Sequence, residues 1–230
     1  EGAISKMAAV LEQGYASVWA NCYFEIDGEP TTKFSGFGLS KSGEISPQDY
    51  YDGKITGEFL IMFRRDAIGQ RRFEKGLYGS ENTLWIYLFD LPAYYLHDAV
   101  RIYRFHRSDS VTINSFKRPL CIMKGYAMTA ELILQKIGDK NAQASANGAN
   151  SAEPKFRVND AHIAILYKMA AYYAKFGGEY RKMYKYLFKS LKFKFTKEAL
   201  AMLILSPFPK SMILFLTKIR VWIYKKTHGE

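Results

Sequence analysis

The residues best suited to chemistry lie in Gly79-Ser80-Glu81-Asn82-Thr83-Leu84-Trp85-Ile86-Tyr87-Leu88. The stretch opens on turn formers, carries one carboxylate, and continues as an apolar run. Leu84, Tyr87 and Leu88 share one face at helical spacing, as do Trp85 and Leu88. This pattern predicts a helix with Glu81 in its first turn, where the helix dipole favours the ionised form. An ionised carboxylate on a rigid helix mouth can take a proton from a hydroxyl as a general base. The plainer reading is an ordinary acid at a helix N-terminus. The neighbouring segments decide which reading carries more weight.

Residues 4–13 predict a helix with Ile4, Met7, Ala8 and Leu11 on one face, ended by Gly14. Residues 16–26 predict a strand of mixed burial, bounded by Asp27-Gly28. Residues 27–53 hold five glycines and two prolines, and read as a long irregular loop with at most a short strand. Gly57 to Asp66 is a buried segment ended by Arg64-Arg65. Residues 93–105 read as a strand or a pair of short strands. Residues 120–137 predict a helix stopped at Gly138. The Ala, Asn, Ser and Gly composition that follows predicts a linker over 138–157. Asn159 or Asp160 caps a helix that stops at Gly177-Gly178. A second helix over 179–192 carries the stripe Tyr180, Met183, Tyr184, Leu187 and Leu191, and the two make an α-hairpin.

The 230 residues suffice for one or two domains with a full core. The two cysteines, Cys22 and Cys121, form no C-x-x-C pair. That disfavours a disulfide scaffold or a zinc site and suits a reducing compartment. Glu1 is not a start methionine, and no charged-then-apolar leader follows it, so a fragment without a signal peptide is expected. The net charge is +11, and it is unevenly placed: residues 155–230 hold 16 Lys/Arg against 4 Asp/Glu. That third therefore calls for an anionic partner, membrane headgroups or nucleic acid. Its apolar runs, Ala199–Leu205 and Met212–Leu216, are too short to span a bilayer. Amphipathic helices over 196–226, with Lys210, Lys218, Arg220, Lys225 and Lys226, suit a position in the membrane interface. The competing reading is a helical cap with solvated lysines.

Taken in order, these segments resemble the second half of a family 2 glycosyltransferase of the GT-A fold. Phe63-Arg64-Arg65 is similar to the family's strand-end F-R-R. Phe73-Glu74-Lys75-Gly76-Leu77-Tyr78-Gly79-Ser80-Glu81 resembles its F-D-E…G-E-D run, and Leu84-Trp85-Ile86 continues that helix. Tyr103-Arg104-Phe105-His106 with Ser108, Ser110 and Thr112 resembles its Y-R-x-H…S-x-T ending. The resemblance covers about residues 4–118. It implies an α/β fold class: a partial GT-A (nucleotide-diphospho-sugar transferase-like) domain over 1–118, the acceptor-side half, followed by an α-helical C-terminal region over 119–230. It also implies an inverting sugar transfer from a nucleotide-sugar donor to a glycan or lipid-linked acceptor, with Glu81 as base. His106, Arg64, Arg65 and Arg104 would meet the donor diphosphate, and Glu58 and Trp85 would lie on the acceptor side. A divalent metal, Mg or Mn, would serve the full-length enzyme. His106 is the one candidate metal contact in the chain.

Two departures bear on this. The family's acidic pair is Glu-Asp, and here it is Ser80-Glu81. No D-x-D motif is present, which places the nucleotide pocket in about a hundred further residues upstream, consistent with a domain-sized parent. The expected location is cytoplasmic, peripheral at the inner face of the cell membrane, through 196–226. Two other classes stay open. The basic and aromatic run Tyr184 to Phe195 admits nucleic-acid binding, although its helical periodicity is explained more simply by core packing. A helical-repeat or basic binding module accounts for the α-hairpin but leaves the first half unexplained.

Overall fold

The central element is β1 (Ser17–Ile26), whose Ser17 to Cys22 are buried without a break. Such a run needs cover on both faces. The computed structural model describes residues 2–26, 28–77, 79–104, 115–146, 156–209 and 211. Along one side of β1 runs β7 (Ala93–Arg104), parallel to it from Ser17↔Ala93 to Glu25↔Arg104. The other side is shared by two antiparallel strands. The segment β6 (Phe59–Phe63) pairs with the first half of β1, Ser17↔Phe63 to Asn21↔Phe59. The segment β2 (Glu29–Phe34) pairs with the second half, Tyr23↔Phe34 to Ile26↔Glu29. Two-residue β4 (Gly43–Glu44) adds to the start of β7, while β3 (Gly36–Phe37) and β5 (Thr56–Gly57) form a separate pair.

Alternation of side chains sorts the sheet residues between two faces. Val18 and Ala20 meet Met7 and Val10 of α1 (Ala3–Leu11) on one face. Trp19 and Tyr95 face a larger core made with Ile86, Phe89 and helices α5 (Pro119–Ala146) and α6 (Asp160–Phe176). Helix α7 (Tyr180–Phe193) folds back on α6, and α8 (Lys197–Ile204) packs against α7.

Three expectations change here. Residues 27–53 are far more regular than an irregular loop. They form β2, β3, β4 and α2 (Pro47–Tyr51). Phe34 stacks on Tyr23 at 5.5 Å, and α2 starts on Pro47 and buries Tyr50 and Tyr51. Helix α5 does not stop at Gly138 but continues to Ala146, so the first nine residues of the expected linker are helical. A helical glycine costs about 1 kcal/mol against alanine. Burial of Ile137 and a two-way bond from the Asn141 amide to Phe156 N and O, at 2.9 and 2.8 Å, oppose that cost. Third, the Glu81 segment is one α-turn, α4 (Asn82–Trp85), followed by a 3₁₀ helix over Ile86–Asp90. The dipole available to Glu81 is therefore that of a single turn.

The α-hairpin reading holds closely, whereas the expected second amphipathic helix, with Lys210, Lys218, Arg220, Lys225 and Lys226, lies outside the described residues. Asn159 Oδ1 accepts from Ala161 N and His162 N and so caps α6. The stripe of α7 buries Met183 and Leu187. Several aromatics of Tyr184–Phe195 serve packing: Tyr186 and Phe193 both stack on Tyr167, at 6.1 and 6.0 Å.

Candidate active site

The loop from β6 to α4 builds the site. Arg64 N donates to Ala16 O at 2.9 Å and seats α3 (Arg65–Ile68) beside the start of β1. The chain then runs to Ser80, whose carbonyl accepts from Thr83 N and from Thr83 Oγ1 at 2.8 Å. Glu81 follows, its carbonyl accepting from Leu84 N at 2.8 Å and Trp85 N at 3.0 Å. Thr83 and Leu84 are buried beneath, and Leu84 joins Ala16, Ala67 and Ile68 in a small core. These contacts fix the backbone under an exposed carboxylate.

Glu81 lines a cleft of about 130 Å³ with Phe73, Glu74, Leu77, Gly79, Ser80 and Thr83. Helix α5 forms the support behind it. Gly125 lies so close to Ser80 that an added Cβ would fall 1.8 Å from its Oγ. Lys124 Nζ, one residue earlier, pairs with Glu74 at 3.1 Å. The cleft thus presents two carboxylates in different surroundings. Glu74 is neutralised by a lysine, and Glu81 makes no ion pair among the described residues. An uncompensated, solvent-reached carboxylate on a fixed backbone can accept a proton from an incoming hydroxyl.

The other anticipated site residues do not gather here. Arg64 closes on Asp66 through Nε at 3.1 Å and Nη2 at 2.9 Å. That fork holds the Asp66 carboxyl below its ordinary range. Arg65 is exposed on the first turn of α3, at the same end of the sheet. Arg104 lies at the other end: it pairs in register with Glu25 and bonds its carboxylate at 2.9 Å. Eight strand residues at about 3.3 Å each separate the two ends, about 26 Å. Arg64, Arg65 and Arg104 therefore cannot grip one diphosphate together, which corrects the expected grouping. Glu58 pairs with Arg101 at 3.1 Å, away from the cleft. Trp85 does not line the cleft; its ring packs edge-on against Phe63 and Phe73, at 5.6 and 5.4 Å. His106 lies outside the described residues.

Glu74, Lys124 and Gly125 were not singled out from the sequence as site residues. The signal for Gly125 was available, since an isolated glycine inside a helical pattern marks close approach. Lys124 and Glu74 are 50 positions apart, so only the fold brings them together. No group of three His, Cys, Asp or Glu side chains that could hold a metal exists among the described residues. With no D-x-D motif either, these residues do not fit a divalent metal site.

An exposed carboxylate in a cleft on a mixed α/β sheet, beside a second that is paired with a lysine, suits an enzyme that activates a substrate hydroxyl for group transfer. Over 227 residues, 97% of this chain, the sequence is 39% identical to the GalNAc(5)-diNAcBac-PP-undecaprenol beta-1,3-glucosyltransferase of Campylobacter jejuni subsp. jejuni serotype O:2, of which the match covers 68%. The chain belongs to the glycosyltransferase family of that enzyme. No family model and no solved structure matches it.

Proposed function

We propose that the chain is the acceptor-side part of a family 2 glycosyltransferase with a GT-A fold, and that Glu81 is its general base. The carrying observation is the cleft, where Glu74 is paired with Lys124 and Glu81 makes no ion pair among the described residues. In the reaction, Glu81 takes the proton of an acceptor hydroxyl. The hydroxyl oxygen bonds to the anomeric carbon of a nucleotide-sugar as the bond from that carbon to the diphosphate breaks, with inversion. Groups other than the described residues hold the nucleotide and any divalent metal.

The relative's name specifies a lipid-linked glycan as its acceptor. We extend that acceptor class, a glycan carried on a lipid diphosphate, to this chain. A lipid-borne substrate places the protein at a membrane surface, and we assign residues 196–226 to the inner face of the cell membrane. None of the described helices is long and apolar enough to cross a bilayer. Attachment would therefore combine apolar contact with lysine–headgroup attraction, two signals that suffice together.

The test is Glu81→Gln in the intact protein. The amide keeps size and polarity but cannot take the proton. Turnover is expected to fall by roughly two orders of magnitude or more, with donor binding nearly unchanged. Turnover near that of the parent would remove Glu81 as base.

A further inference from the structure

The outward side of α7 carries an arrangement that the catalytic reading does not use. Arg181, Lys185, Phe188 and Lys192 follow one another at steps of four, three and four, which puts them on one helix face. All four are exposed, and Phe188 is 59% exposed. The opposite face holds Met183, Leu187 and Ser190 in the core. Beyond α7 the chain is extended through Phe195, 67% exposed, into α8. There Leu200 and Ile204, one turn apart, also face outward, while Ala199 is fully buried.

One α7–α8 hairpin thus offers four large apolar side chains to solvent. Arg181, Lys185, Lys192, Lys194 and Lys197 surround them. The acids on the same elements are few: Glu179 pairs with Lys182 at 3.3 Å, and Glu198 stands in the first turn of α8. The hairpin is also held firmly. Lys175 Nζ, on α6, donates to Leu205 O, Ser206 O and Phe208 O at 3.1, 2.6 and 2.8 Å. Tyr184 Oη and Ser206 Oγ share a 2.8 Å bond. The end of α8 is therefore fixed against α6 and α7, and Ile204 is presented on a rigid support.

We propose that this hairpin docks on an anionic lipid bilayer, with Phe188, Phe195, Leu200 and Ile204 entering the interface and Arg181, Lys185, Lys192 and Lys194 lying among the headgroups. Charge complementarity and the aliphatic side chains together select that occupant. A neutral apolar partner has no use for the cations, and a nucleic acid, although its bases could stack on the phenyl rings, has no use for exposed Leu200 and Ile204. Buried apolar surface and headgroup attraction act together at a bilayer. The proposal rests on the membrane reading above but extends the contact to Phe188 of α7 and to Phe195, outside residues 196–226.

The test uses the full chain in flotation with phosphatidylglycerol-containing and with purely phosphatidylcholine vesicles, at low and high salt. Three proteins are compared: the parent, the face variant Phe188→Ser with Phe195→Ser, and a tail variant with Lys218, Arg220, Lys225 and Lys226 replaced by Gln. Helical content and melting are checked in each. Removing each phenyl from the interface is expected to weaken partitioning roughly tenfold, so the face variant binds anionic vesicles about a hundredfold less. The tail variant retains most of its binding, and salt weakens the parent. If the face variant binds as the parent does while the tail variant loses binding, this proposal falls and attachment through the tail stands. The proposal falls equally if residues 212–230 of the chain cover the α7 face, since the phenyl substitutions would then leave binding unmoved. If no protein binds either vesicle, both readings fall.

Discussion

Gly125→Ala probes the support behind the cleft. In a helix interior the substitution alone gains up to about 1 kcal/mol from propensity. Here the new Cβ would lie 1.8 Å from Ser80 Oγ and 2.6 Å from Ser80 Cβ. Turning the serine hydroxyl relieves the first clash but not the second. Reaching an ordinary contact near 3.5 Å requires Ser80 to retreat by about 1 Å, and overpacking of this kind costs about 1–3 kcal/mol. The net expectation is a loss of about 1 kcal/mol, obtained as a cost of about 2 less a gain of about 1. Ser80→Gly removes both clashing atoms, so in that background Gly125→Ala should be stabilising by about 1 kcal/mol. The coupling between the two sites is then about 2 kcal/mol, well above the scatter of independent sites. Urea unfolding of the four proteins measures it. Function gives a second readout, because Ser80 is bonded to Glu81 in the chain. A displacement of about 1 Å at a catalytic group can lower the rate roughly a hundredfold. The reasoning is refuted if Gly125→Ala stabilises both backgrounds equally, since α5 would then not press on Ser80.

Two further outcomes concern the rest of the fold. Lys175→Met removes the ammonium that serves three carbonyls, and should destabilise by about 3 kcal/mol in chemical denaturation; a loss below about 0.5 kcal/mol, the level of an ordinary surface change, would mean that water replaces the ammonium there. Burial lowers the affinity of His162 for a proton from its ordinary value of 6.5, against the weaker opposing pull of Asp52. A base with a depressed folded-state value leaves stability unaffected above 6.5 and reduces it as the unfolded chain takes up the proton below that pH. Unfolding midpoints at stepped pH should therefore drop below about pH 6.5 in the parent and drop less in His162→Gln; equal slopes would show that other groups govern the acid limb.

Elements with a strong period and a clean cap could be read directly from residue order. Asn159 ahead of α6, Gly177-Gly178 after it, and the stripe of α7 each carry a local physical cause. Residues 27–53 failed the same treatment. Their strands are short, and their glycines and prolines mark turns between elements rather than the absence of elements. Gly138 misled for a related reason, since burial of Ile137 and the Asn141 bonds to Phe156 outweigh a local penalty. Within the candidate site, the place of Glu81 at the start of a helical turn was legible from the turn formers before it and the apolar run behind it. The arginines were not. Arg64 and Arg104 carry the same chemistry in sequence, and only the register of β6 and β7 on β1 shows that they occupy opposite ends of the sheet. Glu74, Lys124 and Gly125 depend wholly on how α5 crosses the cleft loop.

The pairing of Ser17 with Ala93 has a kinetic consequence. These partners are 76 positions apart, so the seam between β1 and β7 forms only after a long loop has closed. Closure entropy delays such contacts, whereas the α6–α7 hairpin needs only a tight turn. The helical half is expected to be structured first and the sheet last. Until then the β7-facing edge of β1 stands open along Ser17-Val18-Trp19-Ala20-Asn21-Cys22-Tyr23-Phe24, a run with no charge and no proline, the composition most open to pairing with another chain. Refolding yield should accordingly fall with protein concentration, and the amides that bond β7 to β1 should be the last to gain protection from hydrogen exchange.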